Sequence, residues 1–321
     1  MNMNNILITS VGKRVSLIKL LQETLDSLSI KSEIYTTDMN PQLAPAGIIS
    51  TKCIKVPKVT DSSYIDYLLE ICKKYHIRII VPTIDVELLT LSENRNRFIT
   101  IGVIPVVCNS SFVKICRDKR NITVYLEGKG IAVPKAIDKY NPTFPIFAKP
   151  YDGSLSQDLH VIKNREELTC DILNHPKLIF MEYIDKNKYK EFTVDMYYGK
   201  DNKVKMIVPR ERIEIRAGEI SKGYTRKNEL VKYLQDRLSF LSGVVGCICF
   251  QLFYREESNE VIGIEINPRF GGGYPLTHYA KANFWELLIR EYLLEETLQY
   301  SDSWLDNTLM LRYDAEIIVY S

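Results

Sequence analysis

Strand-like and helix-like segments alternate over the first hundred or so residues of this 321-residue chain. Residues 5–10 (NILITS) have the pattern of a buried strand, and Leu17, Leu21, Leu25 and Leu28 follow at helical spacing. The alternation continues with strands predicted at 33–37, 77–81 and 103–107 and helices predicted at 62–75 and 85–94. Because strands joined through helices run parallel, this order predicts a parallel α/β sheet with helices on both faces.

The first turn of this sheet has the position of a dinucleotide-binding site. It contains Val11, Gly12 and Lys13, and Asp38 ends the second predicted strand. A dinucleotide-binding fingerprint needs three glycines where this turn has one. An NAD-dependent enzyme using this sheet is therefore kept only as an alternative. Lys13 and Arg14 begin the next helix and could contact a substrate anion, although a solvated helix end explains them equally well.

Composition excludes several classes of protein. The formal charge of +2, from 42 basic and 40 acidic residues, gives no general attraction to nucleic acid or to a membrane surface. No apolar run approaches the ~20 residues that span a bilayer, and a strand begins too early to leave room for a signal peptide. Seven scattered cysteines without a C-x-x-C pair, together with four histidines, argue against a zinc site. We expect a reduced, cytoplasmic protein.

Two strand-like runs near the C-terminus carry polar residues on one face. They are residues 246–254 (GCICFQLFY) and 261–269 (VIGIEINPR), separated by a short turn. Before them a helix is predicted at 164–174, and after them a helix at 274–294 and a last strand at 310–319. Side chains two apart on a strand share a face, so Glu265 and Asn267 point the same way, and in a hairpin Gln251 can join them. One carboxylate and two amide oxygens form a hard oxygen set suited to Mg²⁺ held between protein and polyphosphate.

The residues after this second run favour a functional site. Arg269 follows on the same side, where a cation could meet the charge of a phosphoryl group in transfer. Pro268 stops the strand, and Gly271, Gly272 and Gly273 let the backbone approach a ligand closely. The alternative is a polar sheet face that only contacts solvent, which is common for an antiparallel strand.

A lysine and a small-residue loop occur earlier in the chain. Lys149 ends the strand-like run PIFAKP, and the loop YDGSLSQD follows it. The backbone N–H groups and hydroxyls of Gly153, Ser154 and Ser156 could cradle phosphate oxygens. A Gly/Ser turn alone is more often only a turn.

Three further charged residues are candidates. Lys119 lies in the middle of a helix predicted at 112–129, Glu182 ends the strand-like run LIFMEYI, and Glu191 opens the run EFTVD. An adenine could bond the backbone at 182–184, and the carboxylate of Glu191 could accept ribose hydroxyls. Each of these residues alone is usually just exposed to solvent.

Taken in order, these segments resemble the ATP-grasp superfamily, and within it the branch similar to the large subunit of carbamoyl-phosphate synthetase. The resemblance covers about residues 110–300, and EINPRFGGG is its most specific segment. It implies an N-terminal parallel α/β pre-ATP-grasp domain over residues 1–111. A two-subdomain ATP-grasp fold would follow, with a small subdomain over 112–185 and a C-terminal subdomain of α+β character over 186–321.

The resemblance also implies roles for residues. Those implied to bind ATP, through its phosphates, adenine or ribose, are Lys119, Lys149, Asp152, Gly153, Ser154, Ser156, Glu182, Tyr183, Ile184 and Glu191. Those implied to hold Mg²⁺, for which Mn²⁺ is an alternative, are Gln251, Glu265 and Asn267. Two departures matter. The loop has fewer glycines than the family pattern, and Gln251 stands where the family commonly has a second acidic ligand.

A candidate acceptor site lies in residues 209–223 (PRERIEIRAGEISKG). If this segment is extended, Arg210, Arg212, Glu214 and Arg216 share one face. Arginines suit a substrate carboxylate or a developing acyl-phosphate, whereas a solvated edge strand is the alternative. The predicted catalytic residues are therefore Arg210 and Arg216, together with the arginine of EINPR.

The resemblance implies an ATP- and Mg²⁺-dependent ligase. It would join a carboxylate to an amine or related nucleophile through an acyl-phosphate and release ADP and phosphate. The expected partners are small-molecule carboxylates and amines, with no nucleic acid and no membrane, and the oligomeric state is open between monomer and homodimer. A nucleotide-binding regulatory module without catalysis remains a second alternative beside the NAD-dependent enzyme.

Overall fold

The computed structural model describes residues 4–153, 158–216 and 218–320. Its strands are β1 (Asn5–Thr9), β2 (Ile34–Asp38), β3 (Lys52–Lys55), β4 (Ile77–Pro82), β5 (Ile104–Pro105), β6 (Ile146–Pro150), β7 (His160–Ile162), β8 (Leu178–Glu182), β9 (Lys190–Tyr198), β10 (Val204–Arg216), β11 (Glu219–Thr225), β12 (Gly246–Arg255), β13 (Glu260–Asn267) and β14 (Leu309–Leu311).

The α-helices in the same ranges are α1 (Val15–Ser27), α2 (Pro45–Ile48), α3 (Tyr64–Lys74), α4 (Asp85–Glu93), α5 (Arg95–Ile99), α6 (Ser110–Arg117), α7 (Lys119–Gly128), α8 (Cys170–Asn174), α9 (Glu229–Leu238), α10 (Tyr274–Tyr279) and α11 (Phe284–Tyr292). Within this part of the chain, no helix combines the length and the apolar character needed to cross a membrane.

The first sheet is parallel, with strand order β3-β2-β1-β4-β5. Its central strand β1 buries Ile6, Leu7 and Ile8 completely, as expected for a strand covered on both faces. The prediction of an N-terminal parallel α/β sheet is confirmed. The edge strand β3 was not predicted, because its sequence KCIK is short and charged at both ends.

The rest of the chain forms two antiparallel sheets. Strands β13-β12-β9-β10-β11-β14 make a six-stranded sheet, and β7-β6-β8 make a three-stranded one. The predicted fold class, parallel α/β followed by a C-terminal part of α+β character, is confirmed.

Two separate apolar cores underlie these sheets. The larger joins the parallel sheet to the six-stranded sheet, and the buried Trp285 of α11 donates its indole N–H to the carbonyl of Leu17 in α1 at 3.2 Å. The smaller, beneath the three-stranded sheet, consists of Ile146, Ala148, Ile162, Leu168 and Phe180. Ile122 and Leu126 of α7 belong to the larger core. The domain boundaries at 111 and 185 stay a prediction.

The single helix predicted at 112–129 is wrong. Asp118 has extended backbone angles (φ −109°, ψ 116°), which end α6, and its side chain accepts the amide of Arg120 at 2.9 Å. This arrangement is an N-cap, which aspartate favours because it satisfies a free N–H of the first turn. Lys119 therefore begins α7 instead of lying in the middle of a helix.

Other predicted elements are shorter than expected. The helix predicted at 164–174 is only α8, capped by Thr169, because Asn164 closes a separate turn by accepting the amide of Glu167 at 3.0 Å. The helix predicted at 274–294 divides into α10 and α11, since Lys281 adopts a positive φ of 69° and Asn283 caps a new helix. The last strand, predicted at 310–319, is only β14.

Candidate functional site

The pairing of β12 with β13 assembles the three predicted metal ligands. Gln251 lies directly opposite Glu265, and Cys249 lies directly opposite Asn267. Directly opposed residues of antiparallel strands share a face, so the predicted common face of Gln251, Glu265 and Asn267 is confirmed. The amide nitrogen Nδ2 of Asn267 donates to Oε1 of Glu265 at 3.0 Å. This set of oxygen donors fits Mg²⁺.

Two lysines from different elements approach Glu265. Nζ of Lys119 lies 3.7 Å from Oε2 of Glu265 and donates a hydrogen bond to the carbonyl of Gly153. Lys149 is only 6% exposed. Burial lowers the pKa of Lys149 to about 8, while the charge of Glu265 opposes this shift and that of Lys119 adds to it. The structure thus brings Lys119 to the predicted metal site, and the charge of Glu265 at that site acts on Lys149.

The buried lysine should destabilise the protein. The unfolded state keeps the ordinary pKa of 10.5, so below pH 8 the folded state bears a penalty on the order of 3 kcal/mol, which is relieved as the pH rises to 10.5. Lys149→Met should therefore raise the free energy of unfolding at pH 7 and lose this advantage near pH 10.5, as measured by urea denaturation.

A matched control for this prediction is Lys163→Met, which removes an exposed lysine from the adjoining segment. It should leave the stability unchanged at both values of pH. A Lys149→Met protein that is less stable than wild type at pH 7 would contradict the argument. The same variant should bind MgATP more weakly if Lys149 contacts phosphate.

The loop after β6 is held to the neighbouring strand. The amide of Tyr151 donates to the carbonyl of Lys177 at 3.0 Å. Asp152 is exposed, and its hydrogen bond from Nζ of Lys177, at 2.6 Å, lowers the pKa of Asp152. The predicted phosphate contacts Ser154 and Ser156 lie outside the described residues.

The predicted adenine segment follows β8. Oε1 of Glu182 accepts the amide of Lys135 at 3.0 Å, and the amide of Glu182 donates to the carbonyl of Lys135 at 2.9 Å. These two bonds fix the end of the strand. Tyr183 and Ile184 come next and are partly buried. The role of these three residues at an adenine stays a prediction.

Glu191 is paired with two cations. Its Oε1 lies 3.0 Å from Nη1 of Arg212, and its Oε2 accepts Nζ of Lys186 at 3.4 Å. Arg212 also donates to the carbonyl of Gly218 at 2.9 Å. Burial lowers the pKa of Arg212, and Glu191 partly restores it. The proposed contact of Glu191 with ribose stays a prediction.

The structure places Arg210 in the interior and not on an open face. Its side chain is 1% exposed, and Nη2 donates to Oδ1 of Asp195 at 2.7 Å. Asp195 is fully buried and also accepts the hydroxyl of Thr277 at 2.5 Å and the thiol of Cys249 at 3.0 Å. In this position Arg210 is the partner of a buried carboxylate, and its catalytic role stays a prediction.

Arg216 is not brought to the metal-ligand face. Its side chain is 56% exposed and forms an ion pair with Asp314, which raises the pKa of Arg216. Register shifts in β10 on both sides of Glu214 also change the predicted face. Glu214 instead lies opposite Lys222 and pairs with it at 2.7 Å. Among the described residues, Arg216 has no hydrogen bond or ion pair with a metal ligand.

Arg269 contacts the parallel sheet. Its Nε and Nη2 donate to Oδ2 of Asp85 at 3.1 and 2.6 Å, and its Nη1 donates to the carbonyl of Phe270 at 3.2 Å. Although burial opposes it, the charges of Asp85 and Glu265 raise the pKa of Arg269. Sequence reasoning missed Asp85. Its place just after β4, at the carboxyl end of a parallel strand, was the available signal.

The glycines after β13 make room for the protein's own side chains. A Cβ at Gly272 would lie 2.3 Å from the carboxyl carbon of Glu219, and one at Gly273 would lie 2.0 Å from Nη1 of Arg210. A Cβ at either glycine would require the neighbouring side chain to move. The expected ligand contact of this loop stays a prediction, since its close neighbours here are protein atoms.

In the first turn of the parallel sheet, the acidic residue accepts hydrogen bonds from the protein's own backbone. Oδ2 of Asp38 accepts the amide of Gly12 at 3.1 Å, and Oδ1 accepts the amide of Asn40 at 2.9 Å. Gly12 has a φ of +46°, which glycine adopts without strain. Both carboxylate oxygens therefore stabilise the turn, which weakens the argument for a ribose of NAD at this position.

Two family models match most of the chain between them. Residues 6–107 match the N-terminal domain of PylC-like proteins, and residues 174–308 match the ATP-grasp family described as belonging to a biosynthetic pathway with the Ter operon. No curated protein sequence matches.

Solved structures resemble nearly the whole chain, at low sequence identity. Biotin carboxylase from Campylobacter jejuni, in a complex with β,γ-ATP, has a TM-score of 0.70 at 14% identity and covers 95% of this chain and 74% of its own. The biotin carboxylase domain of Hydrogenobacter thermophilus 2-oxoglutarate carboxylase, with MgADP and bicarbonate, has a TM-score of 0.68 at 12% identity, covering 94% and 72%.

A third similar structure is the L-amino acid ligase from Bacillus licheniformis, with a TM-score of 0.67 at 16% identity, covering 90% of this chain and 74% of its own. Likeness at this identity establishes the fold. With the family matches it supports one conclusion: residues 174–308 match an ATP-grasp family, residues 6–107 match a PylC-like N-terminal domain, and nearly the whole chain shares the fold of the similar structures.

Proposed function

We propose that this protein is an ADP-forming ligase that joins a carboxylate to an amine or a related nucleophile through an acyl-phosphate. The observation that supports it most strongly is the position of Lys119, 3.7 Å from Glu265, which accepts a hydrogen bond from Asn267 and whose charge also acts on the buried Lys149. Two cations beside an acidic, oxygen-rich cluster suit a polyphosphate bound with a divalent cation.

Phosphoryl transfer requires mainly positioning and neutralisation of charge. The two lysines would hold the phosphate oxygens of ATP, and Arg269, fixed by Asp85, would face the transferred group. Gln251, Glu265 and Asn267 would hold Mg²⁺, which when bound supplies charge neutralisation between nucleotide and protein. No nucleophilic side chain is needed, because the substrate carboxylate attacks the phosphorus itself.

The similar structures support this proposal. One is a ligase of L-amino acids, and another contains MgADP with bicarbonate, a small carboxylate-like anion. Both structures share the fold of this chain.

The test is a screen of the purified protein with ATP, Mg²⁺ or Mn²⁺ and pairs drawn from an amino acid library. We expect release of ADP and phosphate with at least one pair. Release of AMP and pyrophosphate would instead indicate adenylation and contradict the proposal. MgATP binding without turnover would favour the regulatory module, and thermal stabilisation by NAD but not ATP would favour the NAD-dependent enzyme.

We further propose a cytoplasmic protein that acts on small molecules. Size-exclusion chromatography with light scattering would distinguish a monomer from a homodimer.

A further inference from the structure

Arg14 and Arg269 converge on one carbonyl oxygen, although they come from different sheets. Arg14 lies in the turn between β1 and α1, and its Nη1 donates to the carbonyl of Phe270 at 3.3 Å. Nη1 of Arg269 donates to the same oxygen at 3.2 Å. Nη2 of Arg14 donates to the carbonyl of Thr83 at 3.2 Å. Two guanidinium groups therefore lie side by side where the parallel sheet meets the end of β13.

The charges at this junction do not balance. Arg269 has Asp85 as its carboxylate partner, whereas no described carboxylate lies within ion-pair distance of Arg14. Glu219 is near enough to act on the charge of Arg14, but its Oε2 is taken by Nη1 of Arg312 at 2.7 Å. Burial, followed by the charge of Arg269, lowers the pKa of Arg14. Partly buried charges in proteins are normally paired.

The junction lies next to the predicted metal ligands along the chain. Nζ of Lys119 lies 3.7 Å from Oε2 of Glu265, and the charge of Glu265 also acts on Lys149. Arg269 follows the metal ligand Asn267 by two residues, and the charge of Glu265 acts on it. The charge of Glu265 thus acts on both lysines predicted to bind ATP and on Arg269, and Arg269 shares the carbonyl of Phe270 with Arg14.

We propose that Arg14, together with Arg269, binds the carboxylate of the acceptor substrate, a step that rests on the proposed ligase function. One carboxylate oxygen attacks the γ-phosphorus of ATP and forms the new P–O bond. The bond from the γ-phosphorus to the β,γ-bridging oxygen breaks, and its electron pair leaves with ADP. The other oxygen remains hydrogen-bonded to Arg14, so the acyl-phosphate stays at the junction until the amine attacks.

The first test measures binding without turnover. Acetate is the probe, and the rate at which phenylglyoxal modifies Arg14 is followed by peptide mass spectrometry in the MgADP-bound protein. We expect acetate to slow this modification several-fold, with sodium chloride of equal ionic strength as the control. No protection beyond that of chloride would overturn the proposal. MgATP alone protecting Arg14 as well as acetate does would also overturn it, because the site would then serve the nucleotide.

The second test uses variants and a carboxylate substrate found in the ligase screen. Arg14→Gln should raise the KM for the carboxylate roughly ten- to hundredfold, the usual effect of losing a hydrogen bond to a charged group, and leave the KM for ATP unchanged. Arg14→Lys should recover part of the loss. Lys19→Gln, an equal change of charge at an exposed position of α1, should have no effect. Equal changes in both KM values would contradict the assignment.

Failure of this inference is distinguishable from failure of the proposed function. Calorimetry with MgATP tests nucleotide binding directly and does not involve Arg14. If MgATP does not bind, the ligase proposal fails whatever acetate does. If MgATP binds and acetate gives no protection, only the carboxylate site at Arg14 is overturned.

Discussion

Replacement of Glu265 by glutamine is expected to lower the rate of ADP release by about a thousandfold or more. The change keeps the size of the side chain and removes its charge. Glu265 supplies the carboxylate of the proposed metal site, and Lys119 lies 3.7 Å from it, so the variant loses metal affinity and leaves two lysines uncompensated. Contributions of this kind amount to several kcal/mol of transition-state stabilisation, and about 1.4 kcal/mol corresponds to a factor of ten.

The measurement combines steady-state kinetics with calorimetry of nucleotide binding with and without Mg²⁺. Glu260→Gln, at an exposed position of the same strand, is the matched control and should retain wild-type turnover. The Glu265→Gln protein should remain folded, as a cooperative thermal transition would show, because the side chain is not part of an apolar core. Wild-type turnover in Glu265→Gln would remove the basis of the proposed function.

The second large effect concerns stability. Asp195→Ala is expected to lower the free energy of unfolding by about 3–5 kcal/mol, the usual result of removing one partner of a buried ion pair. Arg210 would remain buried with its charge unpaired, since the side chain is only 1% exposed. The hydroxyl of Thr277 and the thiol of Cys249 would lose their acceptor as well. Urea denaturation at neutral pH measures the change.

The double variant Asp195→Leu/Arg210→Met keeps the experiment informative if the single variant does not fold. Replacing both charges by apolar groups removes the unpaired cation, so most of the lost stability should return. Asp314→Ala removes the carboxylate of the exposed pair with Arg216 and should leave stability unchanged. A double variant no more stable than Asp195→Ala would show that the ion pair is not the cause.

The hairpin that carries the predicted metal ligands could be predicted because the residues that determine it are close together in the sequence. A short turn separates two runs of alternating polarity, and that arrangement determines which side chains share a face. The observed pairing of Gln251 with Glu265 follows directly. The parallel sheet was predictable for a similar reason, since alternating strands and helices permit few topologies.

The parts that could not be predicted depend on distant contacts. The contact of Arg269 with Asp85 joins residues 184 positions apart, and nothing near either residue specifies it. The burial of Arg210 depends on Asp195 of the neighbouring strand, which the sequence reading passed over although it follows Glu191 and Thr193 on the same face.

Capping residues mark the breaks in the predicted helices, but the apolar periodicity continues across these breaks. Asp118 precedes two basic residues and is a favoured capping residue, as is Asn283 after a left-handed residue. In both places the apolar spacing continues across the break, so the spacing alone suggested one long helix. The capping residues were the better guide.

The carbonyl of Phe270 receives an arginine from each of the two regions matched by family models. A chimaera that exchanged the first hundred residues for those of a relative would therefore change more than the substrate pocket. It would alter the orientation of Arg269 itself, unless the donor segment also supplied counterparts of Arg14 and Asp85. The two regions should therefore be exchanged together in engineering experiments. A fragment that begins after residue 107 would lack Arg14 and Asp85, the residues that the first region contributes to the junction.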